Sequence, residues 1–192
     1  MKTSSAPGEF VRALSSLRGH QLRPEISVEE IPGPTRLAPY AAALSAEVTR
    51  PPSGEDLSGH AKFVVLYDPD GQPAWHGAFR LIILVRAPMD DEVADDPLLG
   101  EVGWSWLSSA LEECGAGYHH LSGTVTRVLS ESFGGLSLTD SSVDMEIRGS
   151  LTPVTEDLGP HLKAWLRLIE MACDLTPLPQ LITPRTHPKP NV

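Results

Sequence analysis

The stretch GTVTRVLSESFGGL, from Gly123 to Leu136, is the part of the chain from which the fold is most directly inferred. It combines β-branched residues with polar side chains that must face solvent, and it ends at the turn residues Gly134–Gly135. A run of this kind, bounded by glycines, predicts a strand. We extend that strand from Tyr118 to Glu131, with a bend at Gly123, and expect it to lie in the centre of a sheet.

Five further segments have the alternation of strands, with apolar and polar residues on opposite sides. Residues 25–31 and 142–151 each form one such run. Residues 62–67 and 72–86 flank Asp68-Pro69-Asp70-Gly71, whose proline and glycine favour a tight turn, and so predict a hairpin. Tyr40 to Thr49 is rich in alanine and is compatible with a helix, but its period of two favours a strand.

Three segments instead repeat apolar residues at helical spacing. They are a short helix over 9–19, a helix over 97–114 that begins at Pro97, and a helix over 158–173. In the second helix, the pattern places Val102 in the buried stripe and both Trp104 and Leu111 on its flank.

The order of these elements predicts an α+β fold. We expect a mostly antiparallel sheet of about five or six strands, with two long amphipathic helices and a short N-terminal helix packed on one face. Residues 1–8 are interpreted as a flexible leader, 9–175 as a single domain and 176–192 as a mobile tail, because the last segment is rich in proline.

The charge balance disfavours nucleic acid as a partner. The chain has 25 acidic and 15 basic residues, for a net charge of −10, which opposes a phosphate backbone. The N-terminal residues 1–23 are locally basic, so a nucleic-acid-associated role for that segment is a weaker hypothesis.

The sequence predicts a cytoplasmic protein that does not cross a membrane. No apolar run approaches the ~20 residues of a transmembrane helix, and the N-terminus lacks the apolar centre of a signal peptide. The two cysteines, Cys114 and Cys173, lie in apolar helical patterns without metal-ligand spacing, so we expect reduced thiols and no structural zinc.

Known catalytic and metal-binding patterns are incomplete in this chain. Ser105 lies within a predicted helix and its GxSxG-like motif lacks the last glycine, which disfavours a hydrolase. His119 and His120 are the most plausible metal ligands, but neighbouring residues of a strand point to opposite faces and cannot hold one ion without a bulge. His76 is isolated in sequence. We therefore predict no metal and no cofactor.

The charged side of the predicted sheet is the best candidate surface. We expect its side chains to form either solvated cross-strand ion pairs or a site in which Arg127 and Arg148 hold a carboxylate, a phosphate or an acidic partner. The exposed flank at Trp104 is a second candidate. The candidate binding residues are Arg80, Trp104, Arg127, Glu131 and Arg148.

Several long motifs resemble a known family. The motifs are APYAAALSAEV, DPLLGEVGWSWL, SGTVTRVLSESFGGL, EIRGSLTP and LGPHLKAW, and the similarity spans residues 22–178. Together they resemble the actinobacterial domain-of-unknown-function family DUF3000. The resemblance implies an uncharacterised cytoplasmic protein, and it implies no activity or catalytic residue.

The absence of a complete catalytic constellation favours a non-catalytic binding or adaptor module. It would act through the charged sheet face or the Trp104 flank, on a protein partner or a small anionic ligand. The alternative is a small enzyme that uses Arg127, Glu131 and Arg148 with His76 or His120. The sequence leaves the oligomeric state open.

Overall fold

A computed structural model describes residues 6–49, 57–90, 96–131, 133 and 142–175. For residues 57 and 58 it describes the backbone alone. The described elements, in chain order, are helix α1 (Gly8–Ser15), strands β1 (Ile26–Ile31), β2 (Tyr40–Thr49), β3 (Leu57–Gln72) and β4 (Gly77–Met89), helix α2 (Leu99–Glu113), strands β5 (Tyr118–Ser130) and β6 (Ser142–Pro153), and helix α3 (Gly159–Ala172).

The strands form one antiparallel sheet of six strands in the order β1-β2-β3-β4-β6-β5. The buried residues of the helices join one apolar core with Phe63, Leu81, Ile83 and Ile147, which share one face of the sheet. The α+β prediction is confirmed, and so are the number and order of the helices and strands. The strand interpretation of residues 40–49 is confirmed as well.

The β3–β4 hairpin forms the centre of this core because both of its strands are apolar on the side that faces the helices. Phe63, Leu81 and Ile83 are each 0% exposed. Trp165 of α3 packs on Phe63 with ring centroids 5.7 Å apart. Burying a side chain of this size contributes about 1.5–3 kcal/mol, so the hairpin and α3 stabilise each other.

The predicted position of the hairpin turn was wrong. Residues 68–71 lie within β3, and the chain reverses after Gln72, which is paired with Gly77. The backbone N–H of Asp70 donates to the Asp68 carboxylate over 3.2 Å, which gives a local turn that shifts the register without ending the strand. The reversal uses Pro73 to His76, and Trp75 N–H donates to Gln72 O over 2.9 Å.

Strand β5 contains residues 123–130, the first part of the GTVTRVLSESFGGL stretch, and it lies at the edge of the sheet. It pairs with β6 alone, so the predicted central position was wrong. Alternation within a segment predicts a strand, but it does not identify the neighbours of that strand. Gly134 and Gly135 lie outside the described residues.

The buried side of α2 differs from the prediction at two positions. Leu111, predicted on the flank, is 0% exposed, whereas Val102 is 37% exposed. Helix α2 packs against both the sheet and α3, so its buried surface is rotated relative to a stripe that faces the sheet alone. Gly103 permits the close approach, since an added Cβ would lie 3.0 Å from Met145 Sδ.

Helix α1 covers an aromatic group at one end of the sheet. Phe10 stacks on Tyr67 with ring centroids 5.8 Å apart. The Tyr67 hydroxyl donates to the Glu9 carboxylate over 2.6 Å, and this bond is the main cause that raises the pKa of Tyr67 to about 12. The helix is therefore held by both ring packing and a charge-assisted hydrogen bond.

Candidate functional site

The candidate site lies on the sheet face opposite the helices, which we call the far face. In β4 the far face carries Arg80, Ile82, Leu84 and Arg86, because these residues alternate with the buried Leu81, Ile83 and Val85. Arg80 and Arg86 thus share one face of one strand, as the sequence predicted.

The arginines near one end of the far face have carboxylate partners. Arg86 Nη2 lies 2.7 Å from Asp144 Oδ2. Arg148 Nε lies 2.6 Å from Glu146 Oε1. We call these four residues the ion-pair ladder. They match the interpretation in which the charged face consists of structural ion pairs, and partly exposed pairs of this kind contribute only about 0–1 kcal/mol each.

The structure does not bring the predicted anion fork together. Arg127 is paired in register with the buried Met145, whereas Arg148 is paired with Thr124. Paired residues share a face, so Arg127 lies on the helix side of the sheet and Arg148 lies on the far face. Glu131 is exposed beyond the end of β5, apart from both arginines in the pairing pattern.

Trp104 is half-buried rather than fully displayed on a helix flank. Its ring packs over Gly123 of β5, where an added Cβ would lie 2.9 Å from the ring. The same Cβ would lie within 2.0 Å of the Arg148 carbonyl oxygen, so only glycine fits between the indole and β6. Part of the Trp104 surface is therefore used in joining α2 to the sheet.

Arg80 is buried, with only 9% of its surface exposed, and all its partners are neutral oxygens. Its Nε donates to Ser150 Oγ over 2.6 Å and its Nη2 donates to Ser150 O over 3.1 Å. Its Nη1 donates to Thr152 Oγ1 and to His120 O, each over 3.0 Å. Within the described part of the chain, no carboxylate forms an ion pair with Arg80. Desolvation by burial lowers the pKa of the guanidinium.

The bond from Arg80 to His120 O holds a bulge in β5. The register between β5 and β6 shifts between His119 and Ser122, so residues in this interval lack the regular ladder. The guanidinium takes the place of the missing ladder bond at His120 O. Arg80 therefore stabilises the backbone conformation of the bulge and also places a positive charge beside it.

This bulge brings together three histidines, His76, His119 and His120, which we call the histidine cluster. The rings of His76 and His120 stack, with centroids 3.9 Å apart and an interplanar angle of 10°. His119 Nδ1 lies 2.6 Å from His120 Nδ1, so one of these nitrogens carries the proton and the other accepts it. The bulge that the sequence argument required for cooperation of His119 and His120 is present.

Two of the three histidines have left-handed backbone conformations. The φ angle is 56° at His76 and 52° at His120. A residue with a Cβ occupies this region at a cost of order 1–2 kcal/mol, and such residues concentrate at functional sites. The hairpin turn and the bulge impose this cost at the two positions whose rings then stack.

The surroundings of His120 favour its uncharged form. Desolvation by the neighbouring groups, and then the proximity of His76, His119 and Arg80, lower the pKa of His120 from its ordinary value of 6.5. Protonation of His120 would place a positive charge close to the Arg80 guanidinium and to two other imidazoles that can bind a proton. A bound anion would reverse this effect and raise the same pKa.

The cluster is not arranged as a metal centre. In residues 6–49, 57–90, 96–131, 133 and 142–175, no group of three or more His, Cys, Asp or Glu could hold a metal ion. The stacking of His76 on His120 gives the reason, since parallel rings direct their nitrogens along parallel planes and not toward one point. The hollow beside His76 is open and has a volume of about 670 Å³, so the cluster does not lie in a deep pocket.

The sequence pattern of β4 indicates Arg80 as a candidate residue. Each of the three histidines was considered as a metal ligand or site residue, and no pattern indicates that the three lie together. The adjacent pair His119–His120 was the only local signal. The convergence of His76 with His120 depends on the turn at residues 73–76 and on the bulge in β5, and neither has a distinctive sequence pattern.

The comparisons with known proteins identify the family of the chain. A family model described as "Protein of unknown function (DUF3000)" matches residues 6–182, so the chain belongs to this family. The match extends beyond residues 22–178 at both ends. No curated protein and no solved structure gave a significant match. None of the described helices is long and apolar enough to cross a membrane.

Proposed function

We propose that this member of the DUF3000 family is a non-catalytic binding module that recognises an anionic group at the histidine cluster. The single observation that carries this proposal is the buried Arg80, whose positive charge has no carboxylate partner among the described residues. The histidine rings, the bulge and the neighbouring apolar residues affect how a ligand reaches the charge of Arg80.

A buried charge without a counter-ion creates a persistent potential, because the interior screens charge far less than water does. Hydrogen bonds to neutral oxygens satisfy the guanidinium donors but leave its net charge in place. We expect this potential to attract an anion to the exposed side of the cluster, where His76 and His120 are accessible.

The direct contacts to the anion would come from imidazole N–H groups. The guanidinium has five N–H donors. All of them point to protein oxygens, the longest bond being 3.5 Å to Ser122 Oγ. Arg80 therefore acts on the ligand through its charge and through the bulge that it holds, and the histidines supply the donors.

The far face beside the cluster offers a second, apolar component. Val64, Ile82 and Leu84 are half-buried there, between the cluster and the ion-pair ladder. An anionic group carried on a partly apolar molecule would contact both components. This placement supports the charged sheet face over the Trp104 flank as the binding surface.

The two alternative functions have less support. The proposed enzyme site needs Arg127 with Arg148, and these residues lie on opposite faces. In the basic N-terminal segment, Arg12 is paired with Glu156 over 3.0 Å and Arg23 with Glu25 over 2.9 Å, which reduces the charge available to a nucleic acid.

The proposal can be tested with inorganic phosphate as the probe. Imidazole nitrogen resonances would be followed by NMR at pH 6 while phosphate is added. We expect saturable shifts at His76, His119 and His120, and none at His60, which lies at the other end of the far face. A parallel titration with acetate would show whether the site prefers a phosphate or a carboxylate.

Substitution of two histidines by asparagine gives the decisive variant. Asparagine tolerates a left-handed backbone, so His76→Asn with His120→Asn removes the rings without adding strain. We expect the affinity for phosphate to fall at least about tenfold, which corresponds to about 1.4 kcal/mol. His60→Asn is the matched control. Unchanged phosphate affinity in the double variant would refute the proposal.

A further inference from the structure

A second candidate site lies on the helix side of the sheet, between α1 and strands β1–β3. It is a partly enclosed cleft of about 190 Å³, the volume of about six liquid waters. Its apolar walls are formed by Leu14, Leu17, Ala42, Leu44, Phe63 and Val65. It is separate from the histidine cluster, which is on β5 and the β3–β4 turn.

The cleft lies at the C-terminal end of α1, where the packing of this segment on the sheet is incomplete. Phe10 and Ala13 are 5% and 0% exposed, whereas Leu14, Leu17 and Leu44 remain half-buried around the opening. Apolar side chains that line a concave, accessible surface are the usual setting for a small ligand. At 190 Å³ the cleft is smaller than sites for drug-sized molecules, so the ligand must be small.

The charged residues at the opening indicate the chemistry of the ligand. Arg18 and Glu30 both line the cleft, are both exposed, and form no ion pair within the described part of the chain. The neighbouring Arg12 and Arg23 differ, because each has a carboxylate partner. The opening thus presents one unpaired cation and one unpaired anion beside an apolar cavity.

We propose that this cleft binds a small aliphatic α-amino acid of about the size of leucine. Its side chain would fill the apolar cavity, its carboxylate would bind the Arg18 guanidinium, and its ammonium group would bind the Glu30 carboxylate. A ligand with only a carboxylate would leave Glu30 as an unfavourable like charge, and one with only an amine would do the same with Arg18.

The test uses free leucine and three analogues, each of which lacks one element of recognition. Amide resonances of Leu14, Leu17 and Leu44 would be followed by NMR during titration. We expect saturable shifts with leucine, weaker binding of N-acetyl-leucine and of leucinamide, and no saturable shift with glycine. Equal responses to leucine and glycine would overturn the proposal, since the cavity would then have no role.

Variants of the cleft separate specific binding from general charge effects. We expect Arg18→Gln and Glu30→Gln each to weaken leucine binding about three- to tenfold, and Ala42→Leu to abolish it by filling the cavity. Arg12→Gln, in α1 and paired with Glu156, is the matched control and should bind leucine normally. Thermal unfolding would confirm that each variant is folded. Wild-type affinity in both charge variants would refute the assignment.

Discussion

Arg80 and Arg86 have the same side chain on the same face of the same strand, yet their surroundings are opposite. Arg86 faces the acidic residues of β6 and forms an ion pair with Asp144 over 2.7 Å. Arg80 faces the hydroxyl-bearing residues Ser150 and Thr152 and is buried without a carboxylate. The neighbouring residues of β6, and not the arginines themselves, therefore decide which of the two guanidinium groups has a carboxylate partner.

The largest expected difference between the two arginines is in stability. Arg80→Ala removes the donors from Ser150, Thr152 and the His120 carbonyl, and unsatisfied buried acceptors cost about 1–3 kcal/mol each. We expect the free energy of unfolding to fall by about 3 kcal/mol, against less than about 1 kcal/mol for Arg86→Ala. Urea denaturation measures both values, and equal losses would contradict the comparison.

Giving Arg80 a carboxylate neighbour like that of Arg86 tests whether the neighbour controls anion binding. Ser150→Asp places a carboxylate beside Arg80, at a position whose hydroxyl is now 2.6 Å from the guanidinium. We expect it to reduce the affinity of the histidine cluster for phosphate about tenfold, because the positive charge becomes neutralised.

The reverse change is the control for this experiment. Asp144→Ser removes the partner of Arg86 and should leave phosphate shifts at His76, His119 and His120 unchanged. Isothermal titration with phosphate measures the affinity of both variants. A stronger effect of Asp144→Ser than of Ser150→Asp would place the anion site at the ladder instead.

The stability should also depend on pH at the histidines with lowered pKa values. Desolvation by burial is the main cause that lowers the pKa of both His120 and His161, and Asp157 and the Gly117 carbonyl act in the opposite direction at His161. The unfolded chain then binds more protons than the folded protein below the ordinary value of 6.5, so the free energy of unfolding should decrease as the pH falls from 6.5 toward the folded pKa values.

Urea denaturation at intervals of roughly half a pH unit between pH 7.5 and 5 would measure how the free energy of unfolding depends on pH. His120→Asn should flatten part of the slope, since it removes one titrating group, and saturating phosphate should flatten it as well. A free energy of unfolding that rises as the pH falls through 6.5 would contradict the assignment of lowered pKa values.

The smallest effect is expected at the exposed end of the ion-pair ladder. The Arg148 side chain is 59% exposed and pairs with Glu146 on its own strand. We expect Arg148→Ala to change the free energy of unfolding by less than about 0.5 kcal/mol. A loss as large as that of Arg80→Ala would show that the ladder, too, is structurally essential.

The elements that could be predicted depend on local periodicity. The alternation of residues 142–151 and the helical spacing of residues 158–173 recur in β6 and α3 with small shifts at the ends. The hairpin was predicted, but its turn was misplaced because Asp68 forms a local turn inside β3. The exposure of Val102 and the burial of Leu111 were missed because α2 packs on two neighbours.

The candidate site was predictable only in part. Arg80 was identified from its place on the polar side of β4, and the charged face was interpreted as cross-strand ion pairs without naming Asp144, the partner of Arg86. Arg127 was placed on the wrong face because its side was assigned from its polarity, whereas it alternates with Thr126 of the far face and shares the helix side with Val125. The contact of His76 with His120 joins two segments that are far apart in the sequence and share no motif, so no local pattern predicts it.

Local sequence patterns were sufficient to predict the fold class, the order of the described helices and strands, and the DUF3000 family. Each of these follows from patterns of residues that are close in the sequence, and these patterns do not depend on which strands pair. Three features follow from tertiary structure alone: β5 is an edge strand, Arg80 has neutral partners while Arg86 has a carboxylate, and three histidines lie together. The physical reason is that strand order, register and a bulge set these contacts, and all three depend on pairing between distant segments.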